Sequence, residues 1–69
     1  MNYQINVYHN NQKDTLVNPM KVLSDHAFFD GHVYCRMGLS IHIDRFESLN
    51  QVIKHILTTT SYYFEILED

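Results

Sequence analysis

The residues best suited to chemistry lie in one segment of the chain, DGHVYCRMGLSIHID, which runs from Asp30 to Asp44. It contains Cys35, the only cysteine, together with His32 and His42, two of the five histidines. A thiol beside an imidazole can act as a nucleophile, and imidazoles beside a carboxylate can bind a divalent metal ion. Either chemistry requires the side chains to point toward one another, so the local structure decides between them.

Apolar and polar residues alternate along this segment without a break. The apolar set comprises Val33, Cys35, Met37, Leu39, Ile41 and Ile43. The intervening positions hold His32, Tyr34, Arg36, Gly38, Ser40, His42 and Asp44. A period of two predicts β-structure in which successive side chains point to opposite faces of a sheet. The thiol is therefore predicted on the apolar face and both imidazoles on the polar face.

Two arrangements of the segment preserve this alternation. One is a single long strand bent at Gly38, and the other is a β-hairpin with residues 37–39 as its loop. The hairpin predicts four facing pairs: Cys35 with Ile41, Val33 with Ile43, Tyr34 with His42, and His32 with Asp44.

The predicted side-chain directions favour a structural role for the cysteine. A reactive thiol needs partial exposure and a cationic or basic neighbour that lowers its pKa, whereas His32 and Arg36 point away from Cys35. In the hairpin, His32, His42 and Asp44 cluster on the polar face, which makes a metal site a minor alternative. Their spacing matches no common zinc signature, and zinc sites normally use three or four protein ligands. We therefore predict no metal site and no cofactor.

Catalytic motifs are missing from the rest of the sequence as well. The carboxylates are spread over predicted turns, helix starts and the C-terminal residues, and Asp44 with Glu47 is explained as a capping box for a helix. The chain has no Gly-rich phosphate loop, no serine-nucleophile motif and no H-E-x-x-H sequence. The prediction is a protein that is not an enzyme and has no catalytic residues.

Size and charge limit the remaining functions. Sixty-nine residues predict a single domain, residues 1–69, with a thin stability margin. The net charge of −3 disfavours direct binding to nucleic acid, which requires a surface of lysine and arginine. No apolar run is long enough to cross a membrane, the N-terminal residues do not resemble a signal peptide, and a single cysteine suits a reducing compartment. We expect a cytoplasmic protein that binds neither membranes nor nucleic acid directly.

A strand and a helix are predicted in the N-terminal part of the chain. The strand, NYQINVY, alternates between two faces and ends at a turn signal, after which KDTLV is a weaker candidate for a short return strand. The helix begins with Asn18 as the N-cap and Pro19 in the first position, and it is predicted to end near Phe29. Its apolar residues are Val17 and Val22, which form a hydrophobic staple, and the stripe of Met20, Leu23 and Ala27.

The second helix, DRFESLNQVIKHIL, has the clearest helical pattern. Its predicted buried stripe comprises Phe46, Leu49, Val52, Ile53, Ile56 and Leu57. The β-branched residues 58–60 are expected to stop it, and SYYFEIL then forms a last strand. The order is β-α-β-α-β, or β-α-β-β-α-β if the hairpin forms. We predict an α+β fold, a small single-layer antiparallel sheet of three to five strands with two helices on one face, and the second order is the ferredoxin-like pattern.

Protein binding is the function that remains. Tyrosine is a favoured residue at interfaces, and five tyrosines are many for a chain of this length. The last strand combines aromatic and acidic residues, and at a sheet edge it could pair with a partner strand or with a second copy of itself. The predicted partner-binding residues are Tyr34, Tyr62, Tyr63, Glu65, Glu68 and Asp69.

In size, acidity and lack of catalytic motifs, the whole chain is similar to the small stand-alone proteins of phages and mobile elements, including anti-CRISPR proteins and other inhibitors of host defence. This resemblance implies stoichiometric occlusion of a larger protein target, such as a nucleic-acid-binding complex. Two other functions stay open. One is a metal- or small-ligand-sensing domain that uses His32, His42 and Asp44, and the other is a homodimeric structural module.

Overall fold

The structure, a computed structural model, describes residues 2–23, 31–36 and 40–68 of the chain. These residues form four strands and two helices in the order β-α-β-β-α-β. The strands are β1 (Tyr3–Tyr8), β2 (Val33–Arg36), β3 (Ser40–Ile43) and β4 (Tyr63–Glu68), and the helices are α1 (Pro19–Val22) and α2 (Phe46–Thr59). The four strands form one sheet of order β2-β3-β1-β4 in which all neighbours are antiparallel. The predicted α+β class with an antiparallel sheet is confirmed.

Strands β2 and β3 form the predicted hairpin rather than one bent strand. Their register pairs Val33 with Ile43, Tyr34 with His42, Cys35 with Ile41, and Arg36 with Ser40. Beyond the strands, the amide of Asp44 donates a hydrogen bond of 3.1 Å to the carbonyl oxygen of His32. The four predicted facing pairs are therefore confirmed, and the predicted loop, residues 37–39, lies outside the described residues.

One face of the sheet packs against both helices to form the core. Alternation along β1 directs Tyr3, Ile5 and Val7 into this core. A hydrogen bond of 2.8 Å from His55 Nε2 on α2 to the carbonyl oxygen of Val22 on α1 joins the helices. The remaining core residues come from α1 and its flanks, from β2 and β3, and from α2: Val17, Val22, Leu23, Val33, Ile41, Ile43, Leu49, Val52 and Ile56. Burial of these side chains is the main source of stability in a domain this small.

Helix α1 begins as predicted but is much shorter. The side chain of Asn18 caps its first turn, and Val17 and Val22 are buried as the hydrophobic staple predicts. Leu23 then leaves the helical region, with φ −104° and ψ 63°, and its side chain is fully buried. A continuous helix to Phe29 is therefore wrong, and residues 24–30 lie outside the described part of the chain. Because α1 is described as a single turn, the ferredoxin-like interpretation stays a prediction.

The buried stripes of the helices are also narrower than predicted. Successive helical residues are about 100° apart, so the line through Leu49, Val52 and Ile56 covers only one side of α2. The small sheet contacts this side, where Ser48 is also buried and Ile53 is partly buried against the core. Three predicted core residues are exposed: Met20, Phe46 (59%) and Leu57 (66%).

The start of α2 differs from the predicted capping box of Asp44 and Glu47. The N-cap is Arg45, whose side chain makes no capping hydrogen bond. The Asp44 carboxylate instead accepts a hydrogen bond of 2.7 Å from His32 Nδ1 on the neighbouring strand end. The hairpin brings this imidazole within hydrogen-bonding distance of the carboxylate, which a local capping pattern could not indicate.

Two further segments refine the predicted boundaries. Helix α2 continues to Thr59, and the hydroxyls of residues 58–60 each donate to a backbone carbonyl one turn earlier. The KDTLV segment returns beside β1 as an isolated antiparallel bridge between Leu16 and Tyr8, not as a strand. Neither described helix is long and apolar enough to cross a membrane.

Candidate functional site

The face of the sheet opposite the helices is called the open face here. Alternation and strand register place on it Gln4, Asn6 and Tyr8 from β1, Tyr34 from β2, Ser40 and His42 from β3, and Tyr63, Glu65 and Leu67 from β4. One row crosses the whole sheet in the order Tyr34, His42, Gln4, Leu67. Neighbouring strands are about 4.8 Å apart, so the two ends of this row are about 14 Å apart.

Large apolar groups are exposed at both edges of the open face. Tyr34 keeps 47% of its surface in solvent on β2, and on β4 Tyr63 keeps 39% and Leu67 keeps 45%. The Tyr34 ring stacks on the His42 ring, with centroids 5.3 Å apart and an angle of 13° between the planes. The Tyr63 ring lies 6.4 Å from the Tyr8 ring. Both tyrosines are therefore supported by a neighbouring ring while still facing solvent.

A buttressing ion pair links the turn after β1 to β4. Lys13 Nζ lies 2.5 Å from Glu65 Oε2 and 5.9 Å from the centre of the Tyr63 ring. The hydrogen bond from Lys13 lowers the pKa of Glu65, aided by bonds from Asn6 and Tyr8, and the same contact raises the pKa of Lys13. Glu65 is thus a carboxylate with internal partners rather than a free acidic anchor.

The six predicted partner-binding residues do not form one patch. Tyr34, Tyr63 and Glu65 lie on the open face. Tyr62 precedes β4, packs partly buried against the core, and meets the His9 ring edge-on at 5.7 Å. Glu68 is exposed and faces Tyr3, so alternation places it on the helix-covered side of β4. Asp69 lies outside the described residues.

The histidine cluster that would form a metal site is not assembled. His32 and Asp44 form an exposed pair at the end of the hairpin, with 2.7 Å between Nδ1 and Oδ1. His42 is instead hydrogen-bonded through Nε2 to Ser40 Oγ at 2.8 Å and stacked on Tyr34. Across residues 2–23, 31–36 and 40–68, the structure brings together no group of three or more histidine, cysteine, aspartate or glutamate side chains able to hold a metal ion.

The thiol and the imidazoles are separated as the alternation predicts. Cys35 is partly buried and packs against the core on the helix-covered face, whereas His42 lies on the open face. Burial raises the pKa of the Cys35 thiol. A higher pKa leaves less of the nucleophilic thiolate at neutral pH, which favours a structural role for this cysteine.

A recess at the C-terminal end of α2 is lined by Lys21 and residues 59–62. The hydroxyl groups of Thr59 and Thr60 donate to helix carbonyls, so they are not available as donors to a ligand. The end of a helix also carries partial negative charge, which opposes the attraction of Lys21 for an anion. The open face is the stronger candidate site.

Sequence reasoning missed two residues of this site. The sequence pattern could have identified Leu67, because the alternation of SYYFEIL places it on the same face as Tyr63 and Glu65. No sequence pattern could have identified Lys13, since it lies 52 positions from Glu65 and only the folded chain brings the two residues together.

Comparisons of the chain with protein families, with curated proteins and with solved structures find no match. The function is therefore inferred from the geometry and chemistry of the open face.

Proposed function

We propose that the protein is a small non-catalytic binding protein that attaches to a larger protein target through the open face and inhibits or regulates that target by occlusion. The observation that carries the proposal is the exposure of Tyr34, Tyr63 and Leu67 on a sheet face opposite both helices. Exposed aromatic and aliphatic groups framed by polar ones are the usual arrangement of a protein interface.

The supported rings favour tight binding. A side chain that is already held in one orientation loses less conformational freedom when a partner covers it. Tyr34 is held by its stack on His42, and Tyr63 lies close to both the Tyr8 ring and the Lys13 ammonium. Tyrosine in such a position can contribute apolar area and a hydroxyl hydrogen bond at low entropic cost.

The electrostatics favour a protein partner over nucleic acid. The ammonium group of Lys13 beside the open face is neutralised by Glu65, and the chain as a whole carries a net charge of −3. Phosphate-rich partners need several unpaired cations to displace their counterions. A protein surface that offers apolar area and hydrogen-bond donors fits this face better.

The size of the molecule is compatible with one-to-one occlusion. A standard protein interface buries about 800 Å² on each partner, roughly a sixth of the 4526 Å² surface of this chain. The molecule measures 30 × 25 × 21 Å, so one sheet face can supply that area. A bound copy would cover a functional site on the target without any chemical step.

The target class that we propose is a host-defence protein or a nucleic-acid-binding complex in the cytoplasm. Support for this class comes from the resemblance of the whole chain, in size and composition, to small inhibitors from phages and mobile elements. The single cysteine agrees with a reducing compartment. The net charge of −3 would favour a basic surface on such a target.

Affinity capture with matched lysine variants tests the proposal. Native protein, Tyr34→Lys, Leu67→Lys and the control Met20→Lys are immobilised and exposed to lysate of cells that contain the natural target. Met20 is an exposed apolar residue on α1, away from the open face. The expected result is a target retained by native protein and by Met20→Lys and lost with both open-face variants. Equal capture by all four proteins, or loss with Met20→Lys alone, contradicts the proposal.

A further inference from the structure

Strand β4 lies at one edge of the sheet that the described residues form. It pairs with β1 on one side, and no described strand pairs with its other side. Natural sheets protect their edges with charged side chains, above all lysine, and with proline, bulges or very short strands. The six-residue sequence of β4, YFEILE, contains two glutamates and neither lysine nor proline. Its Ile66 is directed to the helix-covered face and still keeps 42% of its surface exposed.

The backbone groups available at this edge follow from one hydrogen bond of β1. The carbonyl of Val7 accepts a bond of 2.8 Å from Val17, on the side of β1 away from β4. Phe64 faces Val7 across the β1–β4 ladder. In an antiparallel ladder, facing pairs alternate between those that exchange backbone hydrogen bonds and those that do not. Because the carbonyl of Val7 points away from β4, Val7 and Phe64 are a pair of the second kind, and the N–H and C=O groups of Phe64 point away from β1. The same direction recurs at every second residue of β4. Phe64 and Ile66 therefore direct their N–H and C=O groups to the free edge.

We propose that a second copy of this chain occupies the β4 edge. Two β4 strands pair antiparallel about a two-fold axis that is perpendicular to the sheet and passes beside Ile66. The two sheets then become one continuous sheet with all helices on the same side. The free-edge groups of Phe64, Ile66 and Glu68 exchange backbone hydrogen bonds across the seam.

The register is selected by charge and by overlap. An axis at Glu65 places that carboxylate opposite Glu65 of the second copy, and like charges in facing positions are destabilising. An axis at Phe64 or at Leu67 pairs fewer residues of β4 than an axis at Ile66. With the axis at Ile66, the two isoleucines meet, Phe64 faces Glu68, and Glu65 faces Leu67. Only this long register avoids facing carboxylates.

Two other features of the molecule are compatible with a second copy at this edge. Lys13 neutralises Glu65, which reduces the repulsion between two acidic chains at the seam. On α2, Phe46 and Leu57 lie roughly opposite His55 around the helix axis, and His55 is the residue that contacts α1. These exposed apolar groups therefore lie on the flank of α2 away from α1.

Dimerisation would also add stability to a domain of this size. Chains of this length bury a limited fraction of their surface, and oligomerisation is a common means of stabilising them. The seam uses the backbone edge of β4, so Leu67 and Glu65 of the two copies meet across it, while Tyr34 at the opposite edge of the open face stays uncovered. Formation of the dimer does not require the proposed target binding.

Analytical ultracentrifugation of the full chain and of two lysine variants tests the inference. The native protein is expected to sediment as a dimer at about 100 µM, where a micromolar association is complete. Ile66→Lys brings two ammonium groups together on the axis and should weaken self-association about 100-fold or more. Leu67→Lys, on a residue of nearly equal exposure, faces Glu65 of the second copy and should remain dimeric. A monomeric native protein, or equal behaviour of both variants, overturns the proposal.

A disulfide variant separates loss of pairing from loss of folding. Ile66→Cys is made in a Cys35→Ser chain, so that residue 66 carries the only thiol. Facing residues of an antiparallel pair lie within the distance that a disulfide spans. Mild oxidation should give a covalent dimer with native circular dichroism. Tyr8→Cys in the same background is the control, and equal crosslinking of the two variants overturns the proposed register.

Discussion

The two faces of the sheet are built from the same strands and have opposite physical character. On the helix-covered face, Ile5, Ile41 and Ile43 have at most 1% of their surface exposed. On the open face, Tyr34 and Leu67 keep nearly half of theirs in solvent. The same two-residue period produces both faces, and the helices cover only one of them.

This difference separates the residues that stabilise the fold from those available for binding. A side chain in the core makes many close contacts, and its removal leaves a cavity that the neighbours fill only in part. A side chain on the open face can be changed with little loss of stability. Substitutions on the two faces should therefore affect different measurements.

The largest expected effect is on the stability of the helix-covered face. Ile41→Ala removes a fully buried side chain from the central strand β3 and should lower the free energy of unfolding by about 2–5 kcal/mol. Tyr34→Ala, on the open face of the adjacent strand, should cost about 1 kcal/mol or less. Urea denaturation of both variants measures the difference. Similar losses for both would show that the two faces do not differ in this way.

Thiol reactivity distinguishes the two faces of the sheet at neighbouring positions of β2. Cys35 packs against the core and burial raises its pKa, so its alkylation in the native protein should be at least roughly tenfold slower than in urea. The matched control moves the thiol by one residue to the open face, as Tyr34→Cys in a Cys35→Ser chain, and should react rapidly. Equal rates for the two native proteins would contradict the assignment of faces.

The Lys13–Glu65 pair should make stability depend on pH at the β4 edge of the open face. The pKa of Glu65 is lowered from 4.5 by Lys13, so the contribution of the pair is complete above that pH and is lost as the pH falls through the lowered value. The pKa of Lys13 is raised from 10.5, so the contribution is lost again as the pH rises through the raised value. Lys13→Ala should reduce the loss of stability at both low and high pH, as measured by urea denaturation over the pH range. An unchanged pH dependence would show that the pair adds nothing to stability.

The smallest expected effect is at the end of the hairpin. Both His32 and Asp44 are exposed, so their pair should be worth about 0.5 kcal/mol. A double-mutant cycle of His32→Ala and Asp44→Ala measures this coupling. If Asp44→Ala lowers the free energy of unfolding equally with and without His32, the two side chains are not coupled. Helix capping would then better explain the contribution of Asp44 to stability.

Local alternation made the faces of the sheet predictable. Residues 33–43 show a period of two, from which the inward thiol and the outward His42 were deduced for either arrangement. The facing pairs were predicted for the hairpin alternative, which the structure selects. Such a signal is reliable because the direction of each side chain in a strand depends only on its position. The first turn of α1 was also predictable, because Asn18 and Pro19 act within one turn.

Features that depend on distant parts of the chain were predicted poorly. The periodicity of α2 identified the helix, but it did not show that the sheet would leave Phe46 and Leu57 exposed. Asp44 had a local capping partner in the sequence, and in the structure its carboxylate pairs with His32 across the hairpin. The partner-binding prediction grouped six residues, and the fold separates those that it describes between two sides of the sheet.

The amino-acid sequence by itself determined where β1, β4 and α2 lie and the face to which each strand residue points, because these depend on patterns within a few residues. Tertiary structure decided the order of the strands, which face the helices cover, and that β4 lies at an edge. Those features depend on contacts between residues far apart in the chain, such as Lys13 with Glu65, and no local pattern records them.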